Sequence, residues 1–142
     1  MAPAEPLSAS VDAAEVARFS ALAASWWDAD GPMRPLHRLN PTRLAWLKGE
    51  IAAAFGRDPR DPAALAGLAV LDIGCGAGIL AEPLARMRAN VTGIDPSAEV
   101  IAAAEAHAAA GGLAIAYRAA AAEALAAEGA VFDVVTALEV VE

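Results

Sequence analysis

The sequence has a single cysteine, Cys75, and that scarcity is its first constraint. One thiol cannot close an intrachain disulfide, and a cysteine-built zinc site needs several. A reducing compartment fits this usage. Although 58% of the residues are hydrophobic, alanine supplies much of that share. No run of about 18 strongly apolar residues occurs, so no membrane-spanning helix is expected. The opening stretch from Met1 to Ser10 has neither the basic and apolar regions of a secretory signal nor the arginine of an organelle transit peptide. A cytoplasmic location follows by default. Lysine and arginine form no cluster, and the net charge is -8. Such a chain repels phosphates rather than neutralising them, which argues against a nucleic-acid partner.

What is present fits one core in 142 residues. Residues 1–10, with Pro3 and Pro6, read as a loose terminus. Residues 11–67 read as helical, with a connector at the end. Asp12 and Glu15 have the spacing of a capping box, and Val16, Phe19, Leu22, Ala23 and Trp26 share one helix face. Asp28 to Pro35 is a turn-rich break. Asn40 is expected to cap a second helix with Pro41 in its first turn, Leu44, Leu47, Ile51 and Phe55 facing inward, and Gly56 ending it.

From residue 68 to 142 strands alternate with helices. Apolar strand-length runs cover Ala69–Ile73, Asn90–Ile94, Ala114–Tyr117 and Val131–Leu138. The helix after the first strand is expected to reach Arg88, kinked by Pro83. A second opens at Pro96-Ser97, and a third, alanine-rich, spans Ala120–Ala127. Repeated units of this length predict an α/β fold with a parallel sheet and right-handed crossovers. The pattern stops after the fourth strand with nothing to cover its far side, so further strands are expected in a longer enzyme.

The chemistry begins at Val70-Leu71-Asp72-Ile73-Gly74-Cys75-Gly76-Ala77-Gly78, where a buried strand enters a glycine-rich turn that opens a helix. Glycines let the backbone bend sharply and approach a ligand closely. Their G-x-G-x-G spacing differs from the dinucleotide G-x-G-x-x-G. Asp72, just before them, suits a cationic ligand group and suits pyrophosphate badly; a ligand bearing an ammonium and a sulfonium fits. About 20 residues beyond the first glycine, Val91-Thr92-Gly93-Ile94-Asp95 ends in an acid where ribose-binding acids stand in such folds. Asp95 can also cap the helix that follows. Cys75 reads as a small apolar filler.

Four stretches carry a resemblance. They are Phe19–Asp28 (FSALAASWWD), Pro35–Arg43 (PLHRLNPTR), Val70–Glu82 (VLDIGCGAGILAE) and Phe132–Glu142 (FDVVTALEVVE). With them the chain resembles the bacterial ubiquinone-biosynthesis O-methyltransferases, which methylate polyprenylated phenols and catechols. The glycine-rich stretch occurs in many methyltransferases; the tryptophan pair and the Pro35–Pro41 stretch are narrower. The resemblance implies a Rossmann-like class I methyltransferase fold with a helical N-terminal extension, binding S-adenosylmethionine. It gives Arg43 to the cofactor's carboxylate, Gly74 to its methionine part, Asp95 to its ribose and Leu138 to the region beside adenine and sulfonium. Asp72 and Gly76 complete the cofactor set. Glu139 and Glu142 match a stretch proposed to hold magnesium near the acceptor hydroxyls. Trp26, Trp27 and His37 fall in a segment the family folds over the cofactor, though packing alone accounts for them. Ala122 and Glu123 border the adenine on this view. The resemblance also implies an acceptor with a polyprenyl tail, peripheral contact with the inner membrane, and partner proteins of the same pathway. Three alternatives stay open: a dinucleotide-dependent oxidoreductase, a methyltransferase of another small-molecule class, and a cofactor-binding fragment without turnover.

Overall fold

The computed structural model describes residues 11–138. Helix α1, Ala13–Ser20, begins at Asp12, whose carboxylate accepts from the Ala14 and Glu15 amides, as the capping spacing predicts. It ends sooner than the apolar spacing suggests. A 3-10 turn at Ala23–Ser25 follows, and Trp26 is buried by contacts of its own beyond that turn.

Helix α2, Arg34–Ala54, corrects the expected start at Asn40 and leaves Pro41 inside the helix. The physical reason lies in tertiary contact. Asn40 is buried, and its amide donates to the Ile79 carbonyl at 2.8 Å, so its side chain is not spent on its own backbone. Pro35, near the helix start, supplies the preset φ that Pro41 was expected to supply. Leu47 and Ile51 face the core as expected, whereas Phe55 lies past the helix end and is exposed.

The alternating part contains strand β1 (Ala69–Ile73), helix α3 (Ala81–Arg86), strand β2 (Asn90–Asp95), helix α4 (Ala98–Ala110), strand β3 (Ala116–Ala119), helix α5 (Ala122–Ala127) and strand β4 (Val134–Thr136). β3 sits further along the chain than expected, and β4 is shorter. Because α3 starts at Ala81, Pro83 falls in its first turn, where backbone N–H groups lack intrahelical acceptors, and no kink need arise. α3 stops at Arg86 because Arg88 takes a left-handed φ of 72°.

All strand pairs are parallel, in the order β3-β2-β1-β4. β1 shows why its sequence is apolar on both sides. Val70 joins Leu47, Ile51, Leu80 and Leu84 on one face, while the neighbouring Leu71 joins Ile94 and Leu125 on the other. The α2 side chains thus share a core with the sheet. A third cluster packs Trp26 and Met33 on Ala77, Ile79 and Val100, laying the N-terminal segment over the turn that follows β1. Among the described residues, no helix is long and apolar enough to cross a membrane.

Candidate functional site

The sheet order reverses at β1: β2 and β3 lie to one side, β4 to the other. In open α/β sheets, ligands bind beyond the carboxyl ends of the strands at such a reversal. A cavity of about 890 Å³ opens here. β1 delivers Asp72 and the turn after it Gly74 to its wall, β2 delivers Asp95, and α2 delivers Arg43. Leu138, Ala122 and Glu123 line it from the β4 and α5 side.

Gly76 belongs to the same turn. It lies under the Trp26 ring, at a left-handed φ of 54°, where a Cβ would overlap that ring. Its amide points instead to Asp95, donating to Oδ2 at 3.2 Å, while the Ser97 amide donates to Oδ1 at 3.0 Å. Asp95 therefore anchors both the glycine turn and the chain entering α4, but the expected helix cap is corrected: Ser97 caps α4, its hydroxyl accepting the Val100 amide at 3.2 Å. Each carboxylate oxygen keeps further acceptor capacity for a ligand.

Asp72 is buried and accepts the Thr136 hydroxyl at 2.8 Å. Burial pushes its carboxyl up to about 7, with Thr136 and Arg43 opposing the shift and Asp95 adding to it. Burial raises Asp95 as well, against the two amides it accepts. The Cys75 thiol is driven upward by the same cause and is no thiolate nucleophile, in keeping with a filler role. The Arg43 guanidinium contacts Asn40 Oδ1 at 3.4 Å, and its Nε is buried without a hydrogen-bond partner. Two carboxylates and a guanidinium with an unmet donor suit a ligand carrying both a cationic and an anionic group.

The structure thus brings Arg43, Asp72, Gly74, Asp95 and Leu138 to one cavity and holds Gly76 beside it. Glu139 and Glu142 lie outside the described residues. Among the described residues, no group of His, Cys, Asp or Glu could hold a metal ion. Thr136, which orients Asp72, had no sequence signal, since a threonine in a strand is ordinary. Val16 and Phe19, read as a packing face, also line the cavity.

Residues 70–142 match the methyltransferase domain family. The chain belongs to that family. Its Rossmann-like methyltransferase fold accords with solved structures. Magnesium protoporphyrin IX methyltransferase from Synechocystis, solved with bound SAM, aligns with a TM-score of 0.57 at 26% identity, covering 90% of this chain and 62% of that one. The bifunctional kinase-methyltransferase WbdD aligns at 0.56 with 28% identity, over 72% of this chain and 22% of that one. Among curated proteins, this methyltransferase domain is 52% identical over 138 residues to the ubiquinone biosynthesis O-methyltransferase of Sinorhizobium fredii, covering 97% of the chain and 56% of the relative. The protein of the same name from Brucella ovis is 54% identical, again over 97% of the chain and 56% of the relative. The chain spans about half the length of the curated relatives it matches.

Proposed function

We propose that this methyltransferase domain binds S-adenosylmethionine in the cavity at the ends of β1 and β2, and serves an O-methyltransferase acting on a polyprenylated phenol or catechol in ubiquinone biosynthesis. One observation carries the cofactor reading: Asp95, Asp72 and the unmet Arg43 donor converge on one cavity beside a glycine turn. The names of the curated relatives support the acceptor class.

Asp95 would accept the ribose hydroxyls with its free lone pairs while its amide bonds keep it in place. Arg43 would meet the amino-acid carboxylate with the donor that now lacks a partner. Asp72 would face the ammonium, whose charge favours the ionised carboxylate. Gly74 lets the backbone approach the methionine part, and Leu138 supplies apolar contact near adenine and sulfur. When bound, the sulfonium would supply an electrophilic methyl group for a deprotonated acceptor oxygen and would keep the electron pair of its bond to that methyl. The protein's contribution is alignment of that oxygen with the methyl. The proposal includes the magnesium role that the resemblance gives Glu139 and Glu142, with peripheral membrane contact and pathway partners in the whole enzyme.

Calorimetric titration of the full chain with S-adenosylhomocysteine tests the cofactor reading, with Asp95→Ala and NAD as controls. Saturable binding that Asp95→Ala loses, with no NAD binding, is the expected result. A folded chain that binds NAD and not S-adenosylhomocysteine would overturn it.

A further inference from the structure

Glu82, on α3, is fully buried. A carboxylate in that position requires partners, because an unpaired buried charge is strongly destabilising. It has two: Arg86 Nη2 at 3.3 Å from Oε1, and His107 Nδ1, which donates to Oε2 at 2.5 Å from α4. The His107 ring, oriented by that bond, stacks face to face on Trp27, with centroids 3.7 Å apart and planes 1° from parallel. Trp27 in turn donates its indole N–H to the Ala77 carbonyl of the glycine-rich turn at 2.8 Å. The adjoining Trp26 forms part of the cavity wall over Gly76.

The segment between α1 and α2 has only a short 3-10 turn of its own. Its place over the glycine turn therefore depends on side-chain anchors rather than on a helix ladder. Three are visible: the Trp27 bond to Ala77, the His107 stack, and His37, whose Nε2 donates to the Trp26 carbonyl at 2.8 Å. The second ties the segment, through Glu82, to α3 as well as to α4, where Trp26 and Met33 also pack on Val100.

We propose that His107 is a positioning residue for the ligand cavity: held by Glu82, its ring seats Trp27 and thereby the Trp26 ring that walls the cavity beside Gly76. This rests on the cavity being the S-adenosylmethionine site. His107 lies far along the chain from every glycine of the turn and does not line the cavity; it acts through Trp27.

The test compares the full chain with His107→Ala, His107→Phe and Trp27→Leu, measuring S-adenosylhomocysteine affinity by calorimetry at a temperature where melting curves show each folded. His107→Ala should weaken binding roughly tenfold, the equivalent of one lost aromatic pair. His107→Phe, which keeps a flat ring, should recover most of that affinity even though its melting temperature stays low with Glu82 short of a partner. Trp27→Leu leaves the Glu82–His107 pair intact and should bind as weakly as His107→Ala. A merely structural role would lower melting temperatures and leave the affinity of the folded variants alone; unchanged affinity in Trp27→Leu and His107→Ala would overturn the proposal, as would a phenylalanine variant as weak as the alanine one. Should the parent chain itself bind no S-adenosylhomocysteine, the cofactor reading fails separately. Hydrogen exchange of residues 21–33 then decides: protection lost in the alanine variant and kept in the phenylalanine one supports the proposal, and protection unchanged in the alanine variant overturns it.

Discussion

The Gly76 amide donates to Asp95 Oδ2 at 3.2 Å, so the turn leaving β1 is tied to the acid ending β2. These are the two pieces of sequence that most strongly suggested a nucleoside-bearing ligand. Their bond means that the turn and the candidate ribose acid hold one another in register, and a change at either will be felt at both.

Gly76→Ala introduces a Cβ into the Trp26 ring at a left-handed φ. Both terms oppose folding, so a loss of about 1–3 kcal/mol in urea unfolding is expected. Trp26 must also move, and ligand affinity should fall with it. Wild-type stability in this variant would show that the ring does not rest on the turn.

The Asp72 carboxyl, lifted by burial from 3.8 to about 7, keeps its proton over a range where the unfolded chain has released it. Stability therefore declines as pH rises from roughly 4 to 7 and levels off above that. Asp72→Asn keeps an acceptor for Thr136 and should flatten this part of the curve. Asp95, also raised, adds a slope of the same sign, so the difference between parent and variant is the quantity to read from denaturant melts across that range.

Ligand binding should follow the opposite trend. An ammonium is held best by ionised Asp72, so S-adenosylhomocysteine affinity should increase as pH rises through about 7. In Asp72→Asn that increase should shrink markedly, which calorimetry at several pH values will measure.

Asn40→Ala deletes the buried amide that donates to the Ile79 carbonyl. Leaving that carbonyl without its donor should destabilise the chain by about 1–3 kcal/mol. Because Asn40 Oδ1 also accepts from Arg43, ligand affinity should drop too. A loss confined to stability would mean Arg43 is positioned by other contacts.

For the whole enzyme, chelation of magnesium should lower methylation of a catechol roughly tenfold or more while S-adenosylhomocysteine binding persists, if Glu139 and Glu142 hold the ion. Glu142→Gln should reproduce the effect without chelator. Full activity in the absence of divalent ions would end the metal reading.

Much of the site was legible from local patterns. A buried strand followed by glycines, and a second strand ending in an acid, are short-range signals, because turn conformation and strand burial depend on neighbouring residues. Asp12 as a cap is legible for the same reason. Asn40 was misread because the pair Asn40-Pro41 satisfies a local rule that a distant carbonyl on Ile79 overrides. Phe55 was misplaced because a helix face continued in sequence beyond the point where α2 ends.

The sequence by itself determined the α/β alternation, the glycine turn and the two acids, since each is written in residues close together along the chain. Tertiary structure alone decided that Trp26 covers Gly76, that Thr136 from β4 orients Asp72, and that Glu82 on α3 pairs with His107 on α4. Those contacts join positions far apart in the chain, and no periodicity or spacing encodes which distant side chains packing will bring together.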